Sequence, residues 1–97
     1  MVIHPLNHVK DCNTWDSGAA IACLIRKGFA DTDLVVVSFS GITDVPSSFV
    51  NAAFISLLDS YSFDYIKTHL KVTDASRQII GMIKRRFEFV TSQVAAA

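Results

Sequence analysis

Two adjacent hydroxyls, Ser47 and Ser48, stand in the segment DVPSSFVNAAF (residues 44–54), where a proline closes one element and a run apolar at helical spacing opens the next. A serine at a helix start accepts a hydrogen bond from an otherwise unpartnered backbone N–H, worth about 1 kcal/mol. The same N–H groups and the helix dipole favour an added phosphate, which would bring about two negative charges. Capping alone accounts for both residues. A phosphate acceptor at Ser47, or a partner contact centred on it, is the competing reading. Nucleophilic hydrolysis is disfavoured, because the turn lacks the G-x-S-x-G elbow that presents a serine. Ser48, Asn51 and Ile55 follow on one helical face and form a candidate partner-binding stripe. A single apolar residue on a polar face is also ordinary surface.

Few other residues have spacing that suggests chemistry. His4, His8 and Cys12 recur every four residues, which would align metal ligands on a helix. Pro5 argues against a helix there. On a strand His4 and His8 would be about 13 Å apart, too far to share an ion. No metal site, catalytic residue or cofactor is therefore expected. His69 stands alone at a helix-to-strand junction. Lys84, Arg85 and Arg86 adjoin, but Lys plus Arg and Asp plus Glu each number 9, so the chain carries no net charge to attract nucleic acid. Neutrality also leaves little repulsion against self-association, and a homodimer is one expected partner arrangement. The lone Trp15 is expected to plug the core, with an interface anchor as the alternative.

The elements that must position these residues follow from periodicity. At 97 residues, 51% hydrophobic and 19% charged, the chain suits one packed domain. The longest apolar stretch, Ala19 to Ile25, is far too short to span a membrane. With no basic, apolar leader at the start, a cytoplasmic protein is expected. Cys12 and Cys23 are then expected as free thiols. Residues 2–9 form a strand candidate that Pro5 confines to an edge. A helix over 17–27 ends at Gly28 as a stop signal. Residues 33–41 read as a central strand apolar on both faces, with helices on both sides. A second helix spans 47–60, a short helix 63–70, and a strand 70–73. Asp74 is the expected cap of a last helix over 75–92, whose stripe is Ile79, Ile80, Ile83, Phe87 and Val90. Residues 93–97 read as a tail. The order β-α-β-α-(α)-β-α implies an α/β domain with a small, mainly parallel sheet and helices packed on it.

With these elements placed, VVVSFSGITDVPSSFVNAAF resembles the STAS-like domain family of unknown function, itself distantly similar to anti-sigma factor antagonist STAS domains. In that family a strand ends in D-F-x-G-V, and S-S-F-x-D-E-hydrophobic-F opens the next helix. Phe39, Gly41, Ile42, Ser47, Ser48, Phe49 and Phe54 hold the matching positions. Gly18 matches an S-R-x-x-G pattern before the first helix, and HLKVTDASRQIIGMIKRR matches the closing strand and helix. The resemblance covers roughly residues 12 to 88. Ser38 replaces the strand-end aspartate, Asn51 and Ala52 replace the D-E pair, and Trp15 stands near the family's arginine.

In the anti-sigma factor antagonists, the first serine of a D-S-S-G or D-S-T-G turn is phosphorylated by a GHKL-type ATPase partner. By position that serine corresponds to Ser47, with Pro46 where the aspartate would be and Phe49 where the glycine would be. The resemblance thus implies a non-catalytic, regulatory protein-interaction domain, switched by phosphorylation at Ser47 and partnered by a GHKL-type ATPase. The alternatives are an unswitched binding or inhibitor protein from a mobile element, and a nucleotide- or anion-binding module.

Overall fold

The computed structural model describes residues 1–96, with side chains through Thr91. Three strands, β1 (Val2–Ile3), β2 (Val35–Ser38) and β3 (Leu70–Thr73), form one sheet in the order β1-β2-β3. Both pairings are parallel. The helices α1 (Trp15–Asp31), α2 (Ser47–Ala53), α3 (Phe63–His69) and α4 (Arg77–Ala96) complete the expected β-α-β-α-α-β-α order, and the α/β class stands. Helix α4 runs past its expected end at 92, and Ala97 of the expected tail lies outside the described residues.

Register separates the two faces of the sheet. Val2, Val36 and Lys71 lie in one cross-strand row, and Ile3, Val37 and Val72 in the next. Successive residues of a strand point to opposite faces. Ile3, Val35 and Val37 are buried, whereas Val2 is 58% exposed and Lys71 is exposed. Helices therefore cover the Val35/Val37 face, and the opposite face stays open. This corrects the expectation of helices on both sides. The Val-rich run of β2 is apolar at both parities, but Val36 is only half-buried between its row neighbours.

Local chemistry explains where the elements depart from expectation. Pro5 opens a 3-10 turn (Pro5–Asn7) and cuts β1 to two residues. Thr14 caps α1, its Oγ1 accepting from Ser17 N at 3.1 Å, so the helix starts two residues early. Gly28 does not stop α1. A Cβ there would lie 2.5 Å from Val35 Cγ2, so glycine is the residue that lets the helix rest on the strand. Helix α1 ends instead at Asp31, where Thr32 N and Oγ1 both donate to Gly28 O.

The expected second helix breaks at Phe54. Ser56 Oγ donates to Ala52 O at 2.6 Å, competing with the backbone for that carbonyl. Arg26 donates to Ser56 O at 3.1 Å, and residues Ile55–Asp59 continue as a 3-10 helix with Leu57 buried in the core. Ser76, not Asp74, caps α4, its Oγ accepting from Ile79 N at 3.3 Å. Of the expected α4 stripe, Ile79 and Phe87 are buried, but Ile80 is 42% exposed.

The helices meet most closely where glycine replaces a side chain. A Cβ on Gly18 would sit 2.5 Å from Phe49 O and 2.8 Å from Ala52 Cβ, so α1 touches the backbone of α2 directly. Gly18→Ala should cost about 1–3 kcal/mol, because the nearest atom belongs to a backbone that cannot swing aside. Gly81→Ala, whose Cβ would meet nothing nearer than Arg85 Nη2 at 3.7 Å, should be neutral or gain about 0.5–1 kcal/mol of helix propensity. Urea unfolding of the two variants checks the contrast, and equal effects would contradict the close contact.

Candidate functional site

In a parallel sheet every strand-to-helix loop emerges at the carboxyl edge, where α/β proteins place their ligand and partner sites. Here that edge gathers the loops before α1, α2 and α4. The loop after β2 turns at Gly41, whose φ of 83° suits a residue without Cβ, and Ile42 N donates to Phe39 O at 2.9 Å. Two side chains from the start of α4 then hold the loop. Gln78 bonds both the N–H and the C=O of Val45, each at 3.0 Å, as a neighbouring strand would. Ser76 Oγ donates to Thr43 O at 2.6 Å. Asn13, Asp44, Val45, Pro46 and Gln78 line a shallow, open depression of about 440 Å³ beside this loop.

The serines occupy the first turn of α2, but they do not cap it. Pro46 is the capping residue, and no side chain supplies a cap hydrogen bond. The reading of Ser47 and Ser48 as caps is therefore corrected. Proline one residue ahead shifts both hydroxyls inside the helix, past the position from which a side chain can fold back on N2 or N3. Ser47 is exposed and Ser48 half-buried.

The stripe of Ser48, Asn51 and Ile55 is not one open face. Asn51 Oδ1 accepts from Arg86 Nε of α4 at 2.9 Å. Ile55 lies beyond the end of α2 and packs half-buried against the core.

The positions where this chain departs from the resembled family have structural partners. Ser38 is 3% exposed and donates to Asp74 Oδ2 at 2.8 Å. Asp74 adopts a left-handed φ of 56°, a conformation that Asp tolerates better than most residues. An aspartate at 38 would face this carboxylate. Ala52 is 1% exposed against Gly18, where no water could solvate a glutamate. Asn51 meets Arg86 as a neutral acceptor where an aspartate would make an ion pair.

Other sequence candidates are dispersed. Trp15 is 54% exposed at the first turn of α1, which corrects its expected place in the core. His4 and His8 are exposed, and among the described residues no three His, Cys, Asp or Glu side chains are placed to hold a metal ion. Both cysteines are free thiols, Cys12 buried and Cys23 exposed. Burial, with Asp11 nearby, pushes the Cys12 thiol up to about 11, so it stays protonated at neutral pH. His69 stacks on Tyr65 at 3.9 Å and shares hydrogen bonds with Tyr65 O and Thr68 Oγ1 within its own helix. Gln78 had no distinguishing signal in the sequence, since its role depends on a loop 33 residues away.

The Ser38–Asp74 pair yields a direct test. Ser38→Asp should destabilise the fold by about 1–3 kcal/mol through an unpartnered, partly buried carboxylate. Adding Asp74→Asn should recover about half of that loss, since the amide can donate where the carboxylate could not. Thermal melts of the single and double variants measure the coupling, and strict additivity would contradict the contact.

No curated protein and no solved structure matches the chain. A family model described as a STAS-like domain of unknown function matches residues 19–79, from the first turns of α1 to the start of α4. That span includes β2, the serine-bearing start of α2 and β3, so the chain belongs to the STAS-like domain family of unknown function.

Proposed function

We propose that this chain is a non-catalytic, cytoplasmic regulatory domain that binds another protein at the carboxyl edge of its sheet, with Ser47 as the phosphate acceptor that switches the contact. The state of Ser47 supports this role. Its side chain is exposed, on the first turn of α2, and is not spent on capping. A kinase can reach such a hydroxyl without unfolding the helix. The added phosphate would sit near first-turn N–H groups that no side chain caps. Membership of a STAS-like family supports a binding role, and the GHKL-type ATPase is the partner that the resemblance to anti-sigma factor antagonists implies. No helix among the described residues is long and apolar enough to cross a membrane. Ser48, half-buried beside Ser47, would lie at the margin of the contact, while Asn51 and Ile55 would support it from beneath.

Trp15 supports a second reading. Trp15 is 54% exposed at the start of α1, which packs against α2, and large aromatic residues anchor protein interfaces. An unswitched binding or inhibitor protein, or a homodimer, would use such an anchor without Ser47.

The two readings separate by mutation. Ser47→Asp should leave the melting temperature unchanged or raise it slightly, because an acid in a first helical turn is worth about 0.3–1 kcal/mol. In binding assays with the partner, Ser47→Asp should change affinity at least tenfold (about 1.4 kcal/mol), while Ser47→Ala should bind but ignore ATP. If both variants bind as the wild type does and Trp15→Ala does not, the switch is wrong and the anchor reading stands.

A further inference from the structure

A second concavity lies away from the serine edge and shares no residue with the depression beside Pro46. It is a groove of about 430 Å³ between α3 and α4, floored by Phe54 and by Leu70 and Val72 of β3. Ile66 and Ile83 form its walls. Phe63 and Phe87 also line it, their rings stacked 5.1 Å apart. Its volume falls within the range of small-molecule sites, about 300–1,000 Å³.

The polar groups of the groove are few. Lys67 stands on the α3 wall, and Lys84 and Glu88 on the α4 wall, all three exposed. Lys67 Nζ lies 5.4 Å from the Phe63 ring centroid, which keeps the ammonium beside the apolar lining. Lys84 and Glu88 are one helical turn apart and can balance one another. Lys67 faces them from the other helix, leaving one positive charge in excess. Beyond these three charged side chains the lining is apolar, so the groove offers little to the base or sugar of a nucleotide. It suits an apolar body with a single anionic end.

We infer that the α3–β3–α4 groove binds a medium-chain aliphatic carboxylate, its chain laid over Val72 between Ile66 and Ile83 and its carboxylate held by Lys67 and Lys84. Charge selects this occupant. A neutral amphiphile would gain only the apolar contacts, and a cationic one would find two ammoniums against one carboxylate. Binding here does not depend on the role of Ser47.

Calorimetry with dodecanoate below its micellar concentration tests the site, alongside dodecanol and dodecyltrimethylammonium. Amide NMR shifts locate the binding. The expected result is one dodecanoate per chain, with shifts concentrated in residues 63–72 and 83–88. Dodecanol and the cationic amphiphile should bind about five- to tenfold more weakly. The Lys67→Gln/Lys84→Gln pair, both exposed, should leave the melting temperature unchanged and weaken dodecanoate by a similar factor. Ile83→Trp should fill the groove and abolish binding; should it fail to fold, the lysine pair still decides. Absence of one-to-one binding, equal affinity for dodecanol, or shifts centred elsewhere would overturn the proposal.

Discussion

The backbone contact between α1 and α2 is the constraint on which the candidate site depends. Gly18 brings α1 to within van der Waals distance of Phe49 O and Ala52, closer than any side chain would permit. Helix α2 is only seven residues long, too short to hold its shape alone in water. Its residues Phe49, Val50, Ala52 and Ala53 are buried, and Gly18 lies against the backbone of Phe49 and Ala53 and the Cβ of Ala52. The position and angle of its first turn are thereby set, and with them the exposure of Ser47.

A second set of contacts holds the loop that leads into that turn. Gln78 and Ser76, at the start of α4, bond Val45 and Thr43. Ser38 at the end of β2 bonds Asp74 at the end of β3. The loop is thus tied on two sides, and the segment carrying Ser47 stands on a rigid support while its own hydroxyl stays in water. A modifiable residue is best placed in this way, because the fold does not have to open for a second protein to reach it.

Much of this architecture was legible in the sequence, for local reasons. The strand 70–73 and the short helix before it have bounds that their own residues decide, with Ser62 capping α3 through Tyr65 N. The Gly41 turn and the start of α2 at Ser47 follow from Gly and Pro chemistry that needs no tertiary information. The features that escaped are those decided by distant partners. Gly28 reads as a helix stop until Val35 is seen against it. The break after Ala53 needs Arg26 to reach Ser56 O from α1. The open face of the sheet is invisible in a Val-rich strand, and shows only when Val36 is found between Val2 and Lys71. The place of Ser47 at the start of α2 was recognisable from the motif. That it is not a cap was not, because one residue of offset between Pro46 and Ser47 decides it.

We propose Ser47 as an exposed, modifiable hydroxyl on a fixed support. Its most direct test is incubation of the folded chain with ATP and host extract, followed by mapping of any phosphate by mass spectrometry. A single phosphate is expected, on Ser47, with no unfolding of the domain. A chain that stays unmodified, or one phosphorylated at another residue such as Ser40 or Ser48 with Ser47 untouched, would contradict it.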